Sequence, residues 1–541
     1  MKRTLVLLLV AITTSLQGFA IVRSQQVMKE IANRQLQQMG INGMVTLATE
    51  TNTYAIYRSA MQGFVVVGKT SEGRAVLGYS KTNFDAKHLP CGLKWWLKAT
   101  DKALQQQHYS ADEQPDFTVV DNLVQTKWGQ DMPYNYYCPT VKGEHLPCGC
   151  VATAMSQVLR YYAYPTHAEG PGRYTTEIYN ETLNAYSSKT VVENIKSDYD
   201  WDNIPYDPRA ADVTEKQQQN VGQLVYDCGR AVNMNYASAG SGAYSDDAAA
   251  AFATVFGYNE DATHYVLRDF YSDSEWMNIV YTELAEGRPI IMGASDDSGR
   301  GGHAFLLTGV DANGMIYVNW GWNGVCDGYY AIDKLNPDNS FAFNSGQEII
   351  TRLIPQKEAV TGMPFESHMG CTSSLRGLLI TPEGQLSVSS ITLFNTGHLD
   401  FDGTVGVLLE NTAEGSTEKQ YFEYVNINLA PYDRYNGSAR QTYDLSGLTA
   451  GTYRVRLVAK DVKDADYRPV RGLGGKFYER LLTKSADGTC ELAEQTTGIH
   501  QAKVATDTSV HYYDMQGRSV SANHRGLTII RQNGKTRKVM R

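Results

Sequence analysis

The stretch Gly149-Cys-Val-Ala-Thr-Ala-Met-Ser-Gln-Val-Leu-Arg-Tyr-Tyr162 decides how the middle of this chain folds. Its apolar side chains recur at three- and four-residue intervals, which predicts a helix over residues 150–162 with one buried face. Pro165 prevents the helix from continuing. Cys150 therefore lies in the first turn, where the partial positive charge of a helix N-terminus favours a thiolate. The stretch predicts a reactive cysteine on a buried helix.

A thiol nucleophile also needs an imidazole from elsewhere in the chain. Among the 11 histidines, His303 begins a strongly apolar strand and follows the glycine-rich Gly299-Arg-Gly-Gly302. Asn319, at the end of the next predicted strand, is the candidate to orient the imidazole by accepting a hydrogen bond through its side-chain oxygen. Trp320 and Trp322 would exclude water from that bond.

Acyl chemistry further needs donors for the negative charge that develops on the carbonyl oxygen. The backbone amide of Cys150 is one donor, and the side chain of Gln130 is the candidate for the second. Two other interpretations of Cys150 stay open at this point. It could be a buried structural cysteine, or it could bind zinc together with His145 and Cys148. Cys148 is also a candidate for a disulfide with Cys138.

Three motifs in a fixed order identify a resemblance. Gly149-Cys-Val-Ala-Thr-Ala154, Gly302-His-Ala-Phe305 and Asn319-Trp-Gly-Trp322, with Gln130 upstream, closely resemble the streptopain-type cysteine peptidases, a papain-like bacterial family. The resemblance covers residues 120–340. Each motif alone is weak, but the set in this order is specific.

The resemblance implies a role for each candidate residue. Cys150 would be the nucleophile and His303 its base. Gln130 would be the oxyanion donor, and Asn319 with Trp320 the orienting pair. It also implies endopeptidase action, a preference for a bulky apolar residue at P2, and an inhibitory prodomain that is removed on activation. The leading hypothesis is peptide hydrolysis through a thioester, without metal or organic cofactor.

A chain of 541 residues is too long for one core, and changes in periodicity divide it. The predicted fold class is α+β, with a papain-like two-subdomain peptidase. The predicted segments are a signal peptide at 1–20, an inhibitory prodomain at 21–115, a papain-like catalytic domain at 116–355, an immunoglobulin-like β-sandwich at 360–490 and a C-terminal β module at 505–541.

Local patterns predict individual elements within these segments. The prodomain is predicted as a small independent α+β unit, and the last segment as a two-strand module. The predicted helices are 25–39, 93–106, 150–162, 214–232, one beginning at Ser245, and 274–286. The predicted strands include 53–57, 63–67, 75–79, 289–293, 304–308, 315–319, 328–332, 385–393, 405–409 and one near 448–457.

Composition and charge limit the partners. The net charge of −9 argues against nucleic acid as the main partner, since a phosphate-binding surface needs excess Lys and Arg. We expect protein or peptide substrates, the chain's own prodomain as intramolecular inhibitor, and no transmembrane segment. A basic and then apolar N-terminus predicts a secreted or cell-surface protein. The tail resembles C-terminal sorting modules of the type IX export route of Gram-negative bacteria, which makes outer-membrane export machinery a further expected partner.

Two other functions stay open from the sequence. An acyl transferase of transglutaminase or amidase type uses a similar Cys and His, although an Asp usually orients the histidine where Asn319 stands here. A surface adhesin would use the β-sandwich for binding and carry an inactive papain-like part. The intact set of Cys150, His303, Asn319 and Gln130 argues against the adhesin.

Overall fold

The structure is a computed structural model. It describes residues 22–71, 73–106, 115–295, 302–333, 346–356, 368–372 and 377–493, and three strands between 511 and 540. The predicted signal peptide lies outside the described residues, and so do residues 107–114 of the polar stretch 105–115, which the sequence predicts to be a linker. We call 22–106 the N-terminal region, 115–356 the central region and 368–493 the C-terminal β region.

The N-terminal region contains helices and strands close to the predicted ones, and one strand, β1, that the sequence did not predict. The bounds are α1 Gln25–Gln38, β1 Val45–Glu50, β2 Tyr54–Ser59, β3 Phe64–Gly68, β4 Val76–Ser80 and α2 Cys91–Gln105.

The central region contains the four helices predicted for it, and more strands than predicted. The bounds are β5 Thr140–Val141, β6 Glu144–His145, α3 Cys150–Tyr162, β7 His167–Gly170, β8 Arg173–Asn180, β9 Ala185–Val192, β10 Ile195–Asp198, α4 Glu215–Ala231, β11 Asn235–Tyr236, α5 Ser245–Thr254, β12 His264–Leu267, α6 Asp273–Ala285, β13 Ile290–Ser295, β14 Gly302–Val310, β15 Ile316–Asn319, β16 Gly328–Tyr330 and β17 Gln347–Thr351.

Ten of the described strands form one sheet, in the order β1-β2-β3-β4-β16-β15-β14-β13-β17-β12. The N-terminal region supplies the first four. It joins the central region where β4 pairs antiparallel with β16, with Gly78 opposite Tyr330 and Ser80 opposite Gly328. The N-terminal region is therefore not the independent unit that the sequence predicted, because its sheet continues through β4 into the central region. The predicted α+β class is confirmed.

Strand β14 shows how this sheet divides the central region into layers. Ala304 and Leu306 belong to the core that α3, α4 and α5 share, whereas Phe305 and Leu307 belong to the core with α2 and α6. Side chains alternate between the faces of a strand, so one apolar strand serves both cores. The helix that carries Cys150 thus lies on one face of the sheet, and the N-terminal helix α2 on the other.

The C-terminal β region is built from strands in its described part, apart from short 3-10 segments. The bounds are β18 Met369–Cys371, β19 Leu379–Ile380, β20 Leu386–Val388, β21 Ile391–Asn395, β22 Phe401–Asn411, β23 Lys419–Leu429, β24 Arg434–Gly437, β25 Gln441–Tyr443, β26 Gly451–Asp461, β27 Arg468–Pro469, β28 Arg471–Gly472, β29 Glu479–Lys484 and β30 Cys490–Leu492.

These strands pack as layers around one apolar core. The sheet β23-β22-β26-β29-β30 contributes side chains such as Val407 and Val455, and the smaller sheets contribute others such as Val388 and Leu393. The single strand predicted at 385–393 is two strands, because Ser390 has a positive φ of 56° that ends the extended conformation.

The tail forms a separate unit from residue 496 onward. Its described strands are β31 His511–Tyr513, β32 Leu527–Gln532 and β33 Lys535–Met540, paired antiparallel in that order. The prediction of two strands was wrong, since β32 pairs on both of its edges. No helix among the described residues is long and apolar enough to cross a membrane.

We expect Gly78→Ala to lower the free energy of unfolding by about 1–3 kcal/mol, because overpacking forces neighbours to move. A Cβ at Gly78 would lie 2.5 Å from Cδ1 of Tyr330, where the two regions join. Thermal unfolding of the full chain measures the effect. Gly447→Ala is the matched control, since a Cβ there meets no atom within 4 Å. Equal stability of the two variants would contradict the close packing.

Candidate active site

Cys150 is the first residue of α3, as the sequence predicts. Gly149 before it has a φ of +88°, and a Cβ there would lie 2.7 Å from the sulfur of Met234, so the approach to the helix requires glycine. No side chain caps the first turn. The N-terminal amides therefore remain available beside the half-buried thiol.

His303 lies at the start of β14 and is buried, with 6% of its surface exposed. Its Nε2 lies 2.9 Å from the backbone oxygen of Trp320 and donates to it, which leaves Nδ1 as the ring nitrogen for Cys150. Phe305 stacks on the ring, and Trp322 meets it edge-on, each with centroids 6.3 Å apart. These contacts hold the imidazole in one orientation.

The electrostatics of Cys150 and His303 are those of a pair. Burial by itself would raise the pKa of Cys150, but attraction and hydrogen bonding to His303 outweigh it, and the pKa lies below the ordinary value. Burial would likewise lower the pKa of His303, but the neighbouring Cys150 raises it. A helix N-terminus contributes at most about 2 kcal/mol, so the imidazolium supplies much of the stabilisation of the thiolate.

Asn319 does not contact the imidazole as predicted. Its Oδ1 accepts from the amide of Gly321 at 3.0 Å, and its Nδ2 donates to the backbone oxygen of Thr126 at 2.9 Å and to Oε1 of Gln157 at 3.0 Å. The prediction of a direct hydrogen bond to His303 is wrong for this structure, because turn geometry aims the side chain at the backbone.

Asn319 nevertheless reaches His303 through one peptide unit. The peptide between Trp320 and Gly321 accepts the imidazole N–H through its carbonyl and donates its own N–H to Asn319. A peptide that both donates and accepts is polarised, which strengthens each bond. Asn319 therefore fixes the acceptor that fixes His303.

Gln157, which no sequence pattern singled out, anchors this arrangement to α3. It is fully buried, and its Oε1 accepts from Thr126 Oγ1 at 2.7 Å as well as from Asn319. A buried side-chain amide is costly unless it is hydrogen-bonded. The available signal was a polar glutamine within an otherwise apolar or small-residue run, two turns after Cys150.

Trp320 is fully buried against Phe305, with ring centroids 4.9 Å apart. Its indole N–H donates to Cys326 O at 3.1 Å, and its backbone N–H donates to Oδ1 of Asp327 at 2.9 Å. Burial raises the pKa of Asp327 to about 7. These contacts with Phe305, Cys326 and Asp327 fix the position of Trp320, whose backbone oxygen accepts from His303.

Gln130 lies in a loop beside the start of α3. Its backbone oxygen accepts from the amide of Cys148 at 3.0 Å, which ties the loop to the segment that enters the helix. The tie brings the residue into the neighbourhood of Cys150, and the donor role of its side chain stays a prediction.

The other cysteines near the site do not form the predicted disulfide. Cys138 and Cys148 are both buried and unbridged, and the Cys148 thiol instead contacts Thr153 Oγ1 at 3.3 Å. His145 is held at Cys138, with Nδ1 2.9 Å from its backbone oxygen. In the part of the chain that the structure describes, no group of three or more His, Cys, Asp and Glu is placed to hold a metal ion.

Cys150 and His303 open onto a cleft of about 1020 Å³. Leu267 and Ala294 are among its apolar lining residues. Its acidic residues include Asp246 and Glu348. Burial raises the pKa of Glu348 to about 7 and, with help from Asp247, that of Asp246 to about 6, so this end of the cleft loses charge as the pH falls through that range.

The N-terminal region contacts the catalytic residues from the other face of the sheet. A Cβ at Gly92, in the first turn of α2, would lie 2.7 Å from Cδ2 of His303 and 2.6 Å from Cε3 of Trp320. Trp95 donates its indole N–H to the backbone oxygen of Ser295 at 3.2 Å. The glycine allows α2 to approach the imidazole at van der Waals distance.

The sequence of the chain is similar to those of known cysteine peptidases. The model of the peptidase C10 family matches residues 128–330. Streptopain of Streptococcus pyogenes is 29% identical over 334 residues, which cover 56% of this chain and 81% of streptopain. The thiol protease/hemagglutinin PrtT of Porphyromonas gingivalis is 26% identical over 337 residues, covering 57% of this chain and 38% of that protein.

Solved structures are similar to the chain as well. A fragment of Prevotella intermedia prointerpain A is 34% identical, with a TM-score of 0.49, and the match covers 60% of this chain and 100% of the fragment.

His303→Ala should shift the pH dependence of Cys150 alkylation upward, because the thiol would lose the cation that lowers its pKa. The thiolate forms as pH rises through that pKa, so wild-type Cys150 should react with iodoacetamide at lower pH than the variant does. Mass spectrometry of the Cys150 peptide gives the rates. His145→Ala is the control and should match wild type. Superimposable profiles for His303→Ala and wild type would contradict the pairing.

Gln157→Leu should reduce kcat/KM for peptide hydrolysis by about tenfold and raise the pH midpoint of Cys150 alkylation, because Asn319 and Thr126 would lose their shared acceptor. We also expect a loss of about 1–3 kcal/mol in the free energy of unfolding. Ser156→Ala is the control, since Ser156 is equally buried and its hydroxyl donates to the backbone oxygen of Thr153 within the same helix. An unmoved pH midpoint would assign Gln157 a purely structural role.

Proposed function

The chain belongs to the streptopain-type cysteine peptidases of the peptidase C10 family, and we propose that it is an endopeptidase that cleaves through a thioester with Cys150. The observation that carries the proposal is the pairing of Cys150 with His303 at the mouth of a cleft large enough for a peptide. A thiolate at a helix start beside an imidazolium is the state that attacks an amide carbonyl.

In the first step, the Cys150 sulfur bonds to the scissile carbonyl carbon, and the carbonyl oxygen gains negative charge. The Cys150 amide and the Gln130 side chain are the proposed donors to that oxygen. His303 then gives its proton to the leaving amine as the C–N bond breaks, which leaves a thioester on Cys150 and a neutral imidazole.

In the second step, the neutral His303 takes a proton from water, and the oxygen of that water attacks the thioester carbon. The C–S bond breaks, the acid product leaves, and the thiolate–imidazolium pair forms again. Asn319 and Trp320 act as positioning residues throughout, because the peptide after Trp320 holds Nε2 and keeps Nδ1 toward the sulfur.

We further propose that the N-terminal region is an inhibitory prodomain. The packing of Gly92 against His303 and Trp320, together with the shared sheet, supports this role. Because α2 packs against the imidazole, it restricts the movement of the His303 side chain during proton transfer. Removal of the region would free His303 and leave the edge of β16 unpaired.

The remaining features of the proposed function depend on the sequence and on the apolar part of the cleft. Leu267 and Ala294 support the predicted preference for a bulky apolar residue at P2. The basic and apolar N-terminus supports secretion, and the tail supports transfer across an outer membrane. The mature enzyme would then act outside the cell or at its surface.

Cys150→Ala should abolish peptide hydrolysis and self-processing in the predicted linker at 105–115, because the sulfur that forms the acyl-enzyme is removed. We expect a loss on the order of 10⁴-fold or more with unchanged thermal unfolding. Cleavage of casein and N-terminal sequencing of the incubated chain measure the two activities. Cys148→Ala, two residues away, is the control and should stay active.

Product analysis separates the other functions. Mass spectrometry that finds cross-linked or transamidated products in place of new termini would indicate an acyl transferase. Failure of an epoxide that alkylates activated thiols to label Cys150 would indicate an inactive scaffold with a binding role.

A further inference from the structure

The C-terminal β region is packed against the central region next to the active-site cleft. Arg471 pairs with Glu275, Nη1 to Oε1 at 3.2 Å, and its guanidinium lies 4.0 Å from the ring centroid of Tyr271. His368 meets His264 with ring centroids 6.5 Å apart. These contacts are partly buried and combine charge with ring packing, so they fix the β region at this position.

The turn between β23 and β24 points into the same cleft. Tyr432 in this turn has a φ of +63°, a left-handed conformation that bulky side chains rarely adopt. The turn is closed by hydrogen bonds from Asp433 N to Ala430 O at 3.0 Å and from Tyr432 N to Asn395 O at 3.1 Å. Strained backbone of this kind is kept where the surrounding structure enforces it, often at binding sites.

Asn395 enforces it. The residue is fully buried, and its Nδ2 donates to the backbone oxygens of Leu399 at 2.7 Å and Leu429 at 2.9 Å, while its Oδ1 accepts from Gly397 N at 2.9 Å. Its backbone N–H donates to Asp433 O at 3.0 Å. The turn that presents the tyrosine is therefore rigid before any ligand enters.

The ring of Tyr432 lines the cleft that Cys150 and His303 also line. It packs against the apolar core around α3 and α5, and its hydroxyl is hydrogen-bonded to the hydroxyl of Tyr265. The two rings meet edge to face, with centroids 6.0 Å apart. Leu267, on the central region, lies in the same lining.

We propose that the C-terminal β region forms one wall of the substrate cleft, and that Tyr432 is a specificity-determining residue that contacts a bulky apolar side chain of the substrate. The proposal rests on the proposed endopeptidase function and deepens it. A rigid aromatic ring offers a large apolar contact at little entropic cost, and Leu267 provides an apolar surface beside it.

Tyr432→Gly removes the ring and also suits the positive φ, so the turn should keep its shape. Tyr432→Phe keeps the ring and removes only the hydroxyl that contacts Tyr265. Ser390→Gly is the matched control, because Ser390 has a φ of +56° in the same β region and does not line the cleft. Arg471→Ala weakens the contact between the two regions without changing the lining.

The experiment uses the full chain after self-processing and a panel of peptides that differ at P2, with Leu or Phe against Ala. We expect Tyr432→Gly to lower the ratio of kcat/KM for the bulky peptides over the Ala peptide by about tenfold. Tyr432→Phe and Ser390→Gly should leave that ratio within twofold of wild type. The rate of Cys150 alkylation by iodoacetamide should be the same in all of these variants.

Three results would overturn the inference. If the ratio of kcat/KM for bulky over Ala peptides is unchanged in Tyr432→Gly while the wild-type chain hydrolyses peptides, the proposed role of Tyr432 is contradicted and the proposed endopeptidase function is not. An equal loss for all peptides in Tyr432→Gly, matched by Arg471→Ala, would assign the tyrosine to domain contact and not to specificity. Absence of hydrolysis by the wild-type chain would contradict the proposed function itself, and the inference with it.

Discussion

The charge pair that Cys150 and His303 can form has to outweigh the cost of removing two charged groups from water. That cost is several kcal/mol for each ion in a protein interior, and a helix N-terminus offsets only about 2 kcal/mol of it. The opposite shifts in the two pKa values mean that mutual attraction outweighs burial at this site. Because attraction falls steeply with distance and orientation, the surrounding structure must hold both side chains within narrow limits.

Backbone groups largely fix the positions of the Cys150 and His303 side chains. One peptide unit, after Trp320, receives the imidazole on one side and donates to Asn319 on the other, and Asn319 is in turn held by Gln157 and Thr126. Gln157 projects from the helix that begins with Cys150. The nucleophile and the group that orients its base are thus fixed to the same rigid element, and a shift of one is resisted by the other.

The regions that flank the central region both lie close to this centre. The N-terminal region extends the central sheet and places Gly92 against His303. The C-terminal β region holds Tyr432 in the cleft by a turn whose strain Asn395 sustains. The contact of Gly92 with His303 suits the proposed inhibition of the catalytic base. The position of Tyr432 in the cleft suits the proposed contact with substrate. Neither flanking region is an appendage joined only by a linker.

The sequence by itself determined the features that depend on near neighbours in the chain. Helix α3 begins and ends where its periodicity predicts, and Cys150 and His303 lie at the starts of the predicted elements, because apolar spacing and Pro165 act within a few residues. Tertiary structure decided the partners: Asn319 bonds to a peptide and not to the imidazole, Cys138 and Cys148 stay unbridged, and β4 joins β16. Those choices depend on rotamers, turns and strand edges brought together from distant parts of the chain, and no local pattern encodes such distances.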